Sequence, residues 1–356
     1  MKRWLYRVLI ILAVFLLVVV VAGYIALRVL TYSPDPIMPA DTLCKEDAPR
    51  LGKQQPLKVL SWNIQYSGSR KYHFFYDGGM DVLAAAADVE ATLEQIIAVA
   101  RKYDPDIILW QEVDHDSARS ARIDQVEALW QALPAYKCRA STPYFKTRYV
   151  PHPPHQHMGR VDMHLVVFSK FQLENATRHA LPMLDENFLR QAFNLKRAVL
   201  SAEIPIEGGG AMHVFNTHFS AFSRGDGTMV KQVARFLALV QEADKAGHPW
   251  VAAGDLNLIP PGDDPARFAE GPEFYNFAAN PIEPLFEHLP SALPLDDYRA
   301  NPDAYNTFIE YGASKTNRWL DYVFASDRFA VSSYLVPQEH SDISDHLPVV
   351  VELQPR

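Results

Sequence analysis

Trp250-Val251-Ala252-Ala253 runs without a break into Gly254-Asp255-Leu256-Asn257. A short apolar run between Pro249 and Gly254 predicts a buried strand. Ending such a strand in Asp-x-Asn sets a carboxylate and a carboxamide at the edge of a core. The two-residue period of extended chain sends Asp255 and Asn257 to the same side, where both can converge on one ligand. An Asx turn that merely closes the strand accounts for the same residues. The rest of the chain has to decide.

Five further apolar runs end or begin in the same way. Leu57 to Trp62 runs into Asn63, and Asp106 to Trp110 into Gln111-Glu112. Met212 to Thr217 ends at His218, and Trp319-Leu320 leads to Asp321 and then Tyr322-Val323-Phe324. Ser344-Asp345-His346 opens onto Leu347 to Val351. Each alone reads as a capped strand end, since a single buried Asp or His is usually a satisfied core residue. Together they read as one composite catalytic cleft.

"LSWNI" (60–64), "WQEVD" (110–114), "NTHFS" (216–220), "AAGDLN" (252–257), "LDYVF" (320–324) and "SDHLPV" (344–349) resemble, in order and spacing, the endonuclease/exonuclease/phosphatase superfamily. That superfamily includes DNase I-like nucleases, abasic-site endonucleases, inositol-polyphosphate 5-phosphatases and neutral sphingomyelinases. Any one motif is weak, and the ordered set from about Leu57 to Leu353 is strong. The resemblance implies an α/β fold, a four-layer sandwich of two packed mixed β-sheets flanked by helices. It also implies Mg²⁺-dependent cleavage of phosphoester bonds. Fold does not settle substrate, because one scaffold hosts nucleases, phosphatases and lipases.

Hydrolysing a phosphoester needs a nucleophilic water, charge neutralisation on the phosphoryl oxygens and help for the leaving oxygen. Mg²⁺ prefers a few carboxylates and keeps several waters, so Glu112 with Asn63 nearby is a plausible half-cage, with Mn²⁺ as an alternative ion. The resemblance carries the metal role over to Glu112 and Asn63. His346 is the candidate general base, since imidazole takes a proton near neutral pH. The family places its orienting carboxylate at the position of Asp321. Asp345 points away from His346 in extended chain and suits the metal or its water shell. Asp255 is expected to orient the attacking water or stabilise developing charge, and Asn257 to donate to a phosphoryl oxygen. His218 resembles the histidine that contacts the scissile phosphate or assists the leaving group. Arg197 falls where members often carry a basic residue, although an arginine at a strand start is more often a solvated charge.

The chain departs from the family pattern in two places. Where many members carry a Gly-Asn pair before the strand matching Leu165 to Ser169, this chain reads Met158-Gly159-Arg160-Val161-Asp162-Met163-His164. The preceding loop adds His152, His155 and His157, which suit a transition metal or simply a Pro/His loop beside the cleft. The insert Tyr66 to Met80 holds Lys71-Tyr72-His73-Phe74-Phe75-Tyr76, which would shape a pocket, touch a membrane surface or pack as a satellite cluster.

Composition bounds the partners. A 48% hydrophobic and 12% aromatic chain suits a globular core. Its net charge of −8 offers no broad basic face of the kind that grips a nucleic-acid backbone, so a nuclease is the rival rather than the first reading. A non-catalytic binding module is weaker still, because Glu112, Asp255, Asn257, Asp321 and His346 are all retained. No protein partner is indicated. Val8 to Leu27 is an apolar run long enough to span a ~30 Å hydrocarbon core. Lys2, Arg3 and Arg7 precede it, which predicts a cytoplasmic N-terminus and an extracytoplasmic catalytic domain. A cleaved signal peptide competes, but no small-x-small site follows the run. The expected layout is an anchor over 1–30, a Pro-rich linker over 31–56 and a catalytic domain over 57–356. The anchor favours a lipid head group or another extracytoplasmic phosphoester as substrate. Cys44 and Cys138 allow one disulfide or two unrelated thiols. Helices are expected over Val82–Lys102 and Thr228–Lys245, a hairpin around Glu207–Gly210, and long surface loops over Pro260–Asn306.

Overall fold

In a computed structural model of the chain, residues 2–221, 225–267, 275–276 and 279–356 are described. The strands are β1 (Ile37–Pro39), β2 (Asp41–Cys44), β3 (Leu57–Asn63), β4 (Ile107–Asp114), β5 (Cys138–Val150), β6 (Gly159–Ser169), β7 (Glu174–Ala180), β8 (Ala198–Pro205), β9 (Ala211–His218), β10 (Trp250–Asp255), β11 (Asp321–Ala325), β12 (Phe329–Leu335) and β13 (Val349–Pro355). They form a seven-stranded sheet in the order β12-β13-β3-β4-β6-β5-β2 and a six-stranded sheet in the order β1-β7-β8-β9-β10-β11. Both mix parallel and antiparallel pairs.

The apolar runs are continuous because the central strands are buried on both faces. Val251 and Ala253 enter the core between the sheets, while Trp250 and Ala252 pack outward under α3 (Thr228–Lys245). On the other side, Leu60, Trp62, Ile108 and Trp110 pack against Leu93, Ile96 and Val99 of α2 (Ala86–Tyr103). The result is the expected four-layer sandwich. The hairpin of Glu207–Gly210 joins β8 to β9, with Pro205 opposite Ala211.

Gly254 decides how closely β10 approaches β9. Its φ is +147°, and a Cβ there would stand 1.9 Å from the Thr217 carbonyl oxygen. Gly254→Ala is expected to destabilise the fold by about 3 kcal/mol, read as a lower urea midpoint at unchanged slope. An unchanged midpoint would show that β9 yields without cost.

Three expectations need correction. The segment 31–56 is not a free linker: β1 pairs with β7 at the edge of one sheet, and β2 pairs with β5 at the edge of the other. Edge strands offer unpaired backbone groups, and this segment satisfies them. Cys44 and Cys138 face each other in that ladder and form a disulfide across 94 residues. Its reduction is expected to lower the unfolding free energy by about 2–4 kcal/mol, measurable by urea melts with and without reductant. Next, α2 begins at Ala86 rather than Val82, because Ala85 is extended (φ −70°, ψ 142°) and the Ala84 amide bonds the Arg119 carbonyl outside the helix. Finally, the stretch 260–306 includes short helices over Glu283–His288, Leu295–Ala300 and Pro302–Tyr305, whose Leu285 and Tyr298 are buried. Residues 268–274 and 277–278 of that stretch lie outside the described ones.

The N-terminal helix α1 (Lys2–Leu30) is long and apolar enough to cross a membrane, with mean hydropathy 3.3 over its most apolar 18 residues and none of that window buried. A signal sequence shares these properties.

Candidate active site

Strand register assembles the site. Asp255 ends β10 directly opposite His218 of β9 on one side and Asp321 of β11 on the other. Asn63 ends β3 opposite Gln111 of β4, and Glu112 follows immediately. The β4–β6 pairing slips between Trp110 and Val113, and Glu112 takes a φ of +55°. Such a bulge re-aims a side chain, here into the cleft between the sheet ends. Asn257 also takes a positive φ, +49°, and its amide N–H donates to Asp255 Oδ1 at 2.9 Å. The Asx turn and the shared cleft are therefore both real. The turn, not strand period, brings Asn257 beside Asp255.

Two hydrogen-bonded arrays meet at Asp255. His346 Nδ1 lies 2.7 Å from Asp321 Oδ2, and His346 Nε2 lies 3.5 Å from Asp255 Oδ2. Asp255 Oδ2 also accepts from Asn63 Nδ2 at 3.0 Å and lies 3.2 Å from His218 Nε2. His218 Nδ1 is 3.0 Å from the Tyr144 hydroxyl, and Asn257 Nδ2 is 3.1 Å from His218 Nε2. Asp255 is 1% exposed and Asp321 wholly buried, so the array works in a low dielectric.

Burial separates the titrations. It pushes the Asp255 carboxyl up to about 7, with Asp321 adding to the rise and His346 opposing it. Asp345 is likewise pushed to about 7, by burial first and then by the carboxylates of Glu112, Asp77 and Asp255, against the pull of His346. Burial pulls His346 down, yet Asp321, Asp255 and Asp345 outweigh it and hold the imidazole well above its usual range. Burial, then Arg197 and His346, drive His218 well below it. One histidine is kept charged and the other neutral, a division that separates acid–base roles.

The donor set around Asp345 fits a divalent cation. Glu112, Asp77 and Asp255 line the same cleft as Asp345, and such clustered carboxylate oxygens are what a hard cation takes. Asp255, Asp321 and His346 also bring ligand atoms within 4.8 Å of one another. In that group Asp321 and His346 already bind each other, so it serves better as a proton array. Asn63 differs from its expected place in the cage. Its Nδ2 bridges Glu112 Oε1 (3.2 Å) and Asp255 Oδ2 (3.0 Å), while its Oδ1 accepts from the Gln65 amide. It positions the carboxylates in this orientation, and ligation would require turning the amide over.

Arg197 is not a solvated charge. It is 9% exposed, lines the cleft, lies 5.5 Å over the Tyr144 ring, and its Nη1 has no hydrogen-bond partner. A buried, unpaired guanidinium donor at this place suits a phosphoryl oxygen. The three loop histidines go separate ways. His152 packs on Phe75, His155 meets the Met80 carbonyl at 2.9 Å, and His157 meets the Tyr149 hydroxyl at 2.5 Å, so they do not form a shared metal site. The insert 66–80 does two things at once. Tyr66 and Phe74 pack in a satellite cluster with Ala84 and Val89, and Phe75, Tyr76 and Asp77 line the cleft. Sequence reasoning missed Tyr144, Asp77 and the buried Gln111, whose Nε2 reaches across to Asn216 Oδ1 at 2.7 Å. Gln111 stood beside Glu112 in a noted motif, whereas nothing local marked Tyr144.

A family model described as Endonuclease/Exonuclease/phosphatase family matches residues 60–346. Among solved structures, an endonuclease/exonuclease/phosphatase from Beutenbergia cavernae is 25% identical with a TM-score of 0.59, covering 85% of this chain and 72% of its own. The human Nocturnin catalytic domain with bound sulfate is 18% identical at TM-score 0.55, covering 89% and 97%. A mannosyl-6-phosphatase of Bacteroides thetaiotaomicron is 17% identical at TM-score 0.51, covering 83% and 99%. The latter two share the fold. No curated protein matches the sequence.

Proposed function

From the chain's membership of the endonuclease/exonuclease/phosphatase family, we propose that this metal-dependent phosphoester hydrolase works tethered to a membrane, with its catalytic domain on the extracytoplasmic side. The observation that carries the chemistry is the convergence of Asp255, His346, His218 and Glu112 on one cleft between the two sheets, with Asp321 buried behind His346. Glu112 and Asp345 would hold Mg²⁺, or Mn²⁺ in its place, with Asn63 beside them. When bound, the ion neutralises phosphoryl charge and supports the leaving oxygen.

The chain's own groups do the rest. Asp321 fixes the His346 ring, and the Asp255–His346 pair takes the proton of the attacking water as a unit. Asn257 and Arg197 donate to phosphoryl oxygens. Neutral His218, held by Tyr144, stands beside them to contact the phosphate or the leaving group.

The cleft wall favours small phosphoesters over nucleic acid. Seven carboxylates and three arginines line it, and one of those arginines, Arg119, is committed to Asp114. A polyanion track needs the opposite balance. Lys2, Arg3 and Arg7 in the first turns of α1, ahead of its apolar run, support a cytoplasmic N-terminus, and the Cys44–Cys138 disulfide suits an oxidising compartment beyond it.

The test is a turnover assay of the full-length chain in detergent with Mg²⁺. Substrates are bis-p-nitrophenyl phosphate, p-nitrophenyl phosphate, single- and double-stranded DNA and inositol phosphates. Metal-dependent release from a phosphoester is expected, with DNA the poorest substrate. No metal-dependent release from any of them would overturn the proposal.

A further inference from the structure

The anchor and the cleft are joined more closely than a flexible tether allows. α1 ends at Leu30, whose carbonyl accepts from Thr147 Oγ1 at 2.9 Å, and Thr31 bridges to the Thr147 backbone. Tyr32 then lies against Arg178, whose guanidinium is 5.9 Å from the ring centre, and the chain enters β1. Thr147 belongs to β5, which also builds the cleft wall with Phe145 just before it and Val150 just after. At about 3.3 Å per strand residue, both lie within roughly 10 Å of the end of the apolar helix. Wherever α1 leaves the bilayer, the wall of the cleft starts there.

That cleft is larger than a phosphate needs, with a volume of about 1070 Å³. Besides the catalytic carboxylates and histidines, Phe145, Met158, Met163, Met183, Leu189 and Phe193 line it, and methionines adapt to flexible apolar ligands. Outside α1, twelve large apolar side chains are exposed among the described residues. Tyr76, Met183 and Leu189 line this cleft, Tyr149 and Phe188 (65% exposed) adjoin residues that do, and Met80 (68%) ends the 66–80 insert that supplies Phe75 and Tyr76 to it. Scattered singly they would need no explanation, but gathered at one mouth beside a docked membrane helix they mark a membrane-contacting rim.

We infer that the substrate is a membrane-embedded amphiphile whose phosphoester joins a polar head to a long apolar tail, drawn into the cleft from the leaflet where α1 ends. This rests on the hydrolase reading above. The tail lies along the methionine and phenylalanine wall while the phosphate reaches Asp255 and Arg197. One water is consumed. Its oxygen forms the new bond to phosphorus as the ester P–O bond breaks, its proton passes to the Asp255–His346 pair, and the pair gives that proton back, through solvent, to the leaving oxygen, which departs as an alcohol or a phosphate-free head group hydroxyl.

The experiment uses the full-length chain in vesicles of phosphatidylcholine and phosphatidylglycerol with Mg²⁺. The products of a single hydrolysis, either phosphorylated head group with diacylglycerol or phosphatidate with free head alcohol, are followed by mass spectrometry. Dihexanoyl analogues and bis-p-nitrophenyl phosphate serve as soluble comparators. Long-chain lipid is expected to be hydrolysed with kcat/KM at least about 10-fold above its dihexanoyl analogue, since the added methylenes are buried. Phe188→Glu and Met80→Glu are each expected to lower lipid turnover at least about 10-fold while leaving bis-p-nitrophenyl phosphate within about 2-fold. Turnover of the soluble diester without preference for long-chain lipid overturns this inference and leaves the hydrolase standing. So does a rim variant that changes neither rate or both alike. Failure on every phosphoester removes the hydrolase reading itself.

Discussion

His346→Ala is expected to lower kcat/KM for phosphoester hydrolysis by about 10³-fold, within the range that positioned proton transfer contributes. The variant removes the ring that Asp321 holds at 2.7 Å and leaves two buried carboxylates, Asp255 and Asp321, without the cation between them. Some loss of stability is therefore expected as well, so a second variant separates folding from chemistry. Asp321→Asn keeps the side-chain shape but can present its amide N–H to Nδ1, which favours the wrong tautomer. It is expected to cost about 10²-fold in kcat, with a normal melting temperature and a displaced pH profile. Because Asp321 acts through His346, the double variant should be no worse than His346→Ala alone. Two variants that each retain activity within about 5-fold would remove this pair from the mechanism.

The site was legible where local chemistry and strand ends coincide. Trp250 to Ala253 is apolar on both faces because a sheet core and a helix layer cover it, so the run itself announced a central strand ending at Asp255. The same holds for Asn63, His218 and Asp321. What stayed hidden depends on pairing between distant segments. Ile37–Pro39 and Asp41–Cys44 are short and mostly exposed, and only the edges of two finished sheets make them strands. The bulge that turns Glu112 inward lives in the β4–β6 register, which no window around Glu112 contains. Tyr144 reaches His218 across 74 residues from a strand with no polar motif at its end. Arg197 could be read either as a phosphate contact or as a solvated charge, and its burial beside Tyr144 of the other sheet, which favours the first, is not visible in its own segment.

Removing divalent cations is expected to abolish turnover and to lower stability by an amount that grows with pH. The Asp255 and Asp345 carboxyls, pushed to about 7 in the fold, return to near 4 in the unfolded chain. Between these values the folded state binds more protons than the unfolded one. Stability of the metal-free protein is therefore highest at the acid end of that window and falls as pH rises through 7. His346, raised above its usual range, adds stability below about 6.5 that is lost as pH climbs through its folded value. His218 is lowered and works in the opposite sense, losing stability as pH falls below about 6.5. The difference between loaded and chelated protein at each pH is thus the informative quantity. A cation competes with protons for the same carboxylates, so its binding strengthens as they ionise. At 100 times its dissociation constant it contributes about 2.7 kcal/mol. That predicts a rise in Tm of about 5–10 °C with Mg²⁺ at pH 8 and less than about 2 °C at pH 5. Glu112→Gln should remove most of the pH 8 rise, since it takes away one carboxylate of the donor set without changing its shape. An equal Mg²⁺ effect at both pH values, or a full effect in Glu112→Gln, would place the cation elsewhere in the molecule.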